Sequence, residues 1–329
     1  MSRPSRVALA PSRVPFLARS RPRTRRRRAR RPIGPSTRRA RAPRVSVRRV
    51  FVMSTLPRAV AAPARARARR ATPQRAATLR PRALGTLYDV PVSNNGARCR
   101  LLARWLGLYD DLVLTNPNDA FADGGIKSAA YAEINPQLKM PTLVAANGLC
   151  VPESEVINAY LMDAASEGAR RLATPKTIEG RTNGALATRT HDQYLVPIQG
   201  AMYRGPMDRA TRATQLAEIA RQLRILDEIC GREDGDYVAG ETKSAADAAL
   251  FPTLIFCDFL LPKYFGWSEG AALGGANLRR MYEAVKRDPD GAKTYDEVRG
   301  GLEAWESAGR FEKVGIVDDV ADVSFQWSF

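Results

Sequence analysis

Residues 135–161 read NPQLKMPTLVAANGLCVPESEVINAYL, and this stretch decides the fold. Pro141 opens what otherwise reads as a buried strand, PTLVA; lacking a backbone N–H, proline is confined to the first residue of a strand, an edge or a bulge. A short turn leads to a second apolar run, GLCV, and the two read as a hairpin pair. Directly after it, Glu153-Ser154 starts an apolar helix, ESEVINAYLMDA. A proline at the start of a strand and an acid-plus-hydroxyl pair at the start of a nearby helix are parts that suit a peptide-like ligand.

The pattern extends in both directions. Upstream, GTLYDVPV reads as a strand, and Ser93 caps a helix with Leu101, Leu102, Trp105 and Leu106 on its apolar side. DLVLT is the next strand and IKSAAYAEIN a short helix. Two strands joined by a crossover helix are most simply parallel, so residues 84–165 are expected to form a mixed four-stranded sheet with helices. A polar linker over 166–180 follows. Residues 181–310 carry almost no strand signal: Leu216, Ile219, Leu223 and Leu226 recur at helical spacing. Ser244 and Asp247 stand like a capping box before the apolar run AALFPTLIF, and ANLRRMYEAVKRDP and TYDEVRGGLEAWES supply further helices. Residues 311–329 form an unassigned tail. The expected fold is an α/β domain followed by an all-α domain.

The chain of 329 residues carries a formal net charge of +18, which points first to nucleic acid or a membrane surface. That charge is concentrated at one end. Residues 1–82 hold 26 arginines and neither lysine nor acid, whereas the remainder sets 26 basic residues against 34 acidic ones, a net −8. A mildly acidic folded part argues against a phosphate-binding surface and against nucleic acid as its partner. The leader is too charged to bury apolar surface and is expected to be disordered. Arg-rich, Ser-containing and acid-free, it reads as an organelle transit peptide, plastid rather than mitochondrial, with a basic RNA-binding tail as the alternative. A start at Met53 would shorten it and leave a cytoplasmic product. The longest apolar run, ALFPTLIFCDFLLP, is broken by Pro252 and Asp258 and reads as a core helix, so no membrane partner is expected. Cys99, Cys150, Cys230 and Cys257 show no metal-binding spacing and read as buried thiols.

A small α/β domain followed by a helical one resembles a glutathione transferase. NPQLKMPTLV is similar to that family's motif in which a proline at the start of a strand is cis; VPESEVINAYL resembles its Glu-Ser-x-x-Ile-x-x-Tyr-Leu helix start; KSAADAALFP resembles the capping box of its central helix. The resemblance spans residues 84–308 and implies a thioredoxin-like first domain that binds glutathione. In it, Pro141 would present the N–H and C=O of Met140 to a short peptide as an added strand would. Glu153 and Ser154 would hold the γ-glutamyl end, whose carboxylate suits a helix N-terminus, and Lys127 and Lys139 would meet the glycyl carboxylate.

Only a thiolate attacks electrophiles effectively, and a model cysteine thiol has a pKa of about 8.5. A hydroxyl donor at a helix N-terminus lowers it. Ser93, in the pattern Ser93-x-Asn95-x-x-Arg98, occupies the position that serine takes in the plant-type and theta-like members. GGIKS departs from the plant-type pattern at Ile126, where a histidine would stand. Cys99 lies about two helical turns past Ser93, which disfavours a thiol-reductase reading. His191, with Tyr194 and Tyr203, is expected to edge the electrophile pocket. The resemblance thus implies conjugation of glutathione, as co-substrate, to small hydrophobic electrophiles by a homodimer without metal or organic cofactor. The alternatives are a non-catalytic interaction module of the same fold, or a glutathione-dependent reductase or peroxidase.

Overall fold

The computed structural model describes residues 84–121 and 124–329; the leader and Met53 lie outside the described residues. Four short strands form one sheet in the order β2-β1-β3-β4: β1 is Gly85–Tyr88, β2 Leu112–Thr115, β3 Thr142–Ala145 and β4 Cys150–Pro152. The crossover from β1 to β2 runs through helix α1, Asn94–Trp105, and the two strands are parallel. β3 pairs antiparallel to both β1 and β4. After β2 come the short helices α2, Pro117–Ala120, and α3, Ala129–Ile134, separated by a 3-10 turn over Gly125–Lys127. The single helix expected over IKSAAYAEIN is thus divided. Ser128 caps α3 by accepting from the Tyr131 N–H, and its own extended backbone ends the preceding turn.

Helix α4, Ser154–Ala164, follows β4. The stretch read as a linker contains a helix, α5, Glu167–Leu172, because Ser166 caps it and Arg171 pairs with Glu167 one turn away. The helical part continues with α6, Ile178–Thr190, whose end widens into a π turn over His191–Leu195, and a 3-10 turn over Gln199–Met202. Then come α7, Arg209–Cys230, α8, Ala245–Phe265, the short α9, Glu269–Ala272, α10, Ala276–Arg287, and α11, Pro289–Ser307. Two short helices, α12, Arg310–Lys313, and α13, Ile316–Val320, lie in the tail left unassigned from sequence.

Helix α8 is long and apolar enough to cross a membrane, yet it is mostly buried as the central helix of the protein. Its start is fixed by the expected box. The Asp247 carboxylate accepts from the Ser244 N–H at 2.8 Å, and the Ser244 side chain caps the first turn. Asp247 also accepts from the Val238 N–H at 2.8 Å, so one carboxylate ties down the preceding loop as well. The core is continuous: Leu101, Leu102 and Leu143 from the sheet domain and Leu250, Phe251 and Leu254 from α8 belong to one buried cluster.

Candidate functional site

One end of the sheet brings together the segments that carry Ser93, Met140-Pro141 and Glu153-Ser154. The register aligns Thr115, Tyr88, Thr142 and Pro152 in a row across all four strands. Neighbouring strands lie ~4.8 Å apart. The chain leaving β1 toward Ser93, the chain entering β3 through Met140-Pro141, and the chain leaving β4 into Glu153 therefore emerge side by side. The Met140–Pro141 peptide is cis. Among the described residues no hydrogen bond reaches the Met140 N–H or C=O. The preceding carbonyl is held instead: Lys139 C=O accepts from the Tyr131 hydroxyl at 2.8 Å and the Asn135 amide at 2.9 Å. Both of these groups also reach the Thr142 hydroxyl at 2.9 Å. The side chains of Lys139 and Lys127 are exposed.

Two helices point their N-termini at this end. Ser93, half-buried, caps α1 by accepting the Gly96 N–H at 3.1 Å. That bond uses an oxygen lone pair and leaves the hydroxyl proton for another acceptor. Glu153 stands before α4 with a φ of 68°, a left-handed conformation that a non-glycine residue holds at a cost of about 1–3 kcal/mol. Its side chain is exposed and makes no hydrogen bond among the described residues, whereas Ser154 is buried. The Ser154 hydroxyl accepts from Arg98 at 3.3 Å.

Arg98 lies at the centre of this arrangement, 1% exposed, and ties α1 to α4 through Ser154 and Glu155. It also reaches the helical domain, pairing with Asp192 at 2.8 Å. Asp192 in turn meets His191 Nδ1 at 2.8 Å, and His191 Nε2 meets the Thr253 hydroxyl at 2.8 Å. Because a carboxylate only accepts, Nδ1 carries the proton of the neutral ring and Nε2 accepts from Thr253. Burial pushes His191 below its ordinary pKa, with Asp192 opposing, so the neutral ring is the relevant one. The Thr253 oxygen accepts from the Asn94 amide at 2.9 Å, and the same amide reaches Gln199 at 2.6 Å. A buried polar chain thus runs from Arg98 through the helical domain and back to the residue following Ser93.

Residues 87–169 match the glutathione S-transferase N-terminal domain, and residues 209–284 match the C-terminal domain. Both matches are to glutathione S-transferase domains, and they stand in the order N-terminal then C-terminal along this chain. Solved structures of similar fold include a glutathione transferase of Phanerochaete chrysosporium in complex with oxidised glutathione. It is 21% identical, with 67% of this chain and 98% of that one covered at a TM-score of 0.55. A Populus trichocarpa glutathione transferase is 15% identical, covering 66% and 99% at a TM-score of 0.53. A diazinon-metabolising glutathione S-transferase of the silkworm Bombyx mori is 18% identical, covering 66% and 98% at 0.53. A comparison with curated proteins finds no match.

The three residues expected to edge the electrophile pocket part company. His191 is buried in the polar chain just described, held there by Asp192 and Thr253 on its two sides. Tyr203 is 6% exposed and packs against Phe256 and Trp305, with ring centroids 5.2 and 5.9 Å away. Tyr194 is open to solvent at 55%. Cys99 is fully buried, its thiol within 3.5 Å of the Ser154 carbonyl, and burial pushes its pKa up to about 12. Such a thiol is protonated at neutral pH and is no nucleophile.

Sequence reading missed the contribution of α11. Glu297, Gly301 and Trp305 recur every fourth residue and so share one helix face. Glu297 pairs with Arg100 and Arg104 of α1. Gly301 meets the loop before Ser93 so closely that a Cβ on it would lie 2.6 Å from the Val92 Cβ. Beside that loop opens a cleft of about 250 Å3, lined by Val90, Pro91, Leu114, Thr115 and Glu297 among others.

Proposed function

We propose that the protein is a serine-type glutathione transferase that conjugates the glutathione thiolate to electrophiles. The observation that supports this best is the single sheet end at which the free backbone groups of Met140, the two helix N-termini and the Ser93 hydroxyl converge. In this reading the cysteinyl main chain of glutathione pairs with Met140. Its γ-glutamyl group lies against Glu153 and the N-terminus of α4, and its glycyl carboxylate lies toward Lys127 and Lys139. Ser93 donates its hydroxyl proton to the sulfur while accepting from Gly96. Hydrogen bonding and the positive end of α1 both favour the charged sulfur. Lowering the thiol pKa by ~2 units requires ~2.7 kcal/mol. The sulfur then forms a bond to the electrophilic carbon, and the leaving group departs with its electron pair, or a conjugate acceptor takes up a proton. No metal or organic cofactor enters this scheme.

The chain is taken to work as a homodimer, as the family resemblance implies; Val156 on α4 and Ile178 and Leu186 on α6 are large apolar side chains exposed in the single chain. Its leader is read as an organelle address, a plastid before a mitochondrion. The direct test is retention of the full chain on immobilised glutathione, followed by conjugation of chlorodinitrobenzene. Replacing Glu153 and Ser154 together by alanine is expected to abolish retention. Retention unchanged in that double variant, or absent in the wild type, overturns the assignment of the glutathione site.

A further inference from the structure

Three separate elements touch the Ser93 loop, and each contributes an aromatic ring one turn further on. Gln199 and Thr253 both accept from Asn94, while Gly301 packs on Val92. Phe256 lies three residues past Thr253 and Trp305 four past Gly301, each about one helical turn, or ~5 Å, along its own helix, and Tyr203 directly follows the 3-10 turn that Gln199 opens. The three rings meet one another: Tyr203 with Phe256 at 5.2 Å, Tyr203 with Trp305 at 5.9 Å and Phe256 with Trp305 at 6.3 Å. Three independent links therefore place one aromatic cluster beside the loop that carries Ser93. Tyr203 and Phe256 are buried beneath it, and Trp305 is its half-open member.

Two guanidinium groups cover this cluster. Arg310 stands 4.2 Å over the Trp305 ring and Arg204 stands 5.5 Å over the Tyr203 ring. Neither forms a salt bridge among the described residues, although Arg98, Arg100, Arg104, Arg209 and Arg212 all do. The nearby acid Glu306 is occupied by Lys263 and Tyr264. Arg310 Nε is sealed from water with no hydrogen-bond partner, which normally costs a buried donor about 1–3 kcal/mol. The half-exposed Trp305 ring, bordered by two guanidinium forks that form no salt bridge among the described residues, fits an aromatic ring that bears an oxyanion, since arginine recognises carboxylates and phosphates through parallel N–H donors.

We infer that the acceptor side of the site selects aromatic electrophiles carrying a carboxylate, sulfonate or phosphate, with the exposed part of Trp305 as the apolar contact and Arg310 and Arg204 as the anion-binding pair. This rests on the transferase reading only for the chemistry and not for the binding. With chlorodinitrobenzoate as acceptor, the glutathione sulfur bonds to the ring carbon bearing chlorine, the C–Cl bond breaks and chloride leaves, as with neutral chlorodinitrobenzene.

The test uses unreactive probes first. Binding of dinitrobenzoate and of dinitrobenzene to the full chain is measured by calorimetry, in wild type, Arg310→Gln, Arg204→Gln and Arg310→Lys. The Arg-rich leader is present in all four proteins, so only differences between them are read. The wild type is expected to bind the anion at least tenfold more tightly than the neutral ring, with the advantage falling as salt rises. Arg310→Gln is expected to remove most of that advantage, Arg204→Gln part of it, and Arg310→Lys is expected to restore some. Equal binding of the two probes, or an anion-to-neutral ratio that both glutamine variants leave at the wild-type value, overturns the inference. The kcat/KM ratio of the two chlorinated acceptors then separates the two claims. Anion preference without conjugation defeats the transferase reading alone, and conjugation without anion preference defeats the selectivity alone.

Discussion

The two sides of the candidate site are built from different materials. The sheet end is made of backbone and helix termini: the free peptide groups of Met140, the cap at Ser93 and the left-handed residue Glu153 before α4. The helical side is made of side chains from distant segments, joined by bonds such as Asn94 to Thr253 across 159 residues. A backbone-built half is set by the order and pairing of short strands, and a side-chain-built half by how helices pack. The first should tolerate many surface substitutions. The second should respond sharply to a change in a single buried group.

The largest effect is expected where the two halves are joined. Asp192→Ala leaves Arg98, 1% exposed, without its partner from the helical domain. Breaking a buried pair in this way costs about 3–5 kcal/mol, to be read by urea unfolding; a loss below about 1 kcal/mol would show that the Arg98–Asp192 pair does not help to hold the two domains together. Burial works to raise the Asp192 carboxyl, but the His191 hydrogen bond and the Arg98 charge outweigh it and hold it below the usual carboxylate range. A depressed native pKa gives stability that is present above the unfolded value and is lost as pH falls through the native one. Wild-type stability should therefore drop on acidification below about pH 4, and Asp192→Ala should show a shallower decline.

A second contrast lies within the helical side. Tyr203→Ala removes a buried ring and is expected to cost about 3–5 kcal/mol. Tyr194→Ala, at an exposed position, should change stability by less than about 0.5 kcal/mol. Similar values for the two would contradict the placement of Tyr203 in the aromatic cluster.

The smallest structural change tests the seam itself. Gly301→Ala forces a methyl toward Val92, where the neighbouring atoms are the Cα and Cβ of a loop residue and cannot simply swing away. Overpacking of this kind costs about 1–3 kcal/mol. Because Val92 precedes Ser93, conjugation should fall further than the folded fraction does. A variant that loses stability but keeps its specific activity would show that the loop absorbs the shift.

Much of the sheet end was legible because its signals are local. Pro141 before a strand, Glu153-Ser154 before a helix, and Ser93 before a run of apolar residues each announce a backbone event within a few positions, and the structure puts those events at Met140–Pro141, α4 and α1. The capping box of α8 was legible for the same reason. His191 was not. A lone histidine at the end of a helix gives no sign of facing Asp192 on one side and Thr253, 62 residues away, on the other. The stripe Glu297, Gly301 and Trp305 was equally silent, since a glycine between Gly300 and Leu302 on α11 acquires meaning only when Val92 is seen against it. The helix inside the expected linker was concealed by its polarity: α5 buries none of its residues and rests on a serine cap and one ion pair.

The central claim is that Ser93 holds the sulfur of glutathione as a thiolate. The ultraviolet absorbance of thiolate, followed against pH in the complex of the full chain with glutathione, measures this directly. The wild type is predicted to titrate at about 6.5, some two units below a free thiol, and Ser93→Ala to return the midpoint toward the free value while still binding the tripeptide. A bound thiol that titrates like free glutathione in the wild type, or a midpoint unmoved by Ser93→Ala, would contradict the account.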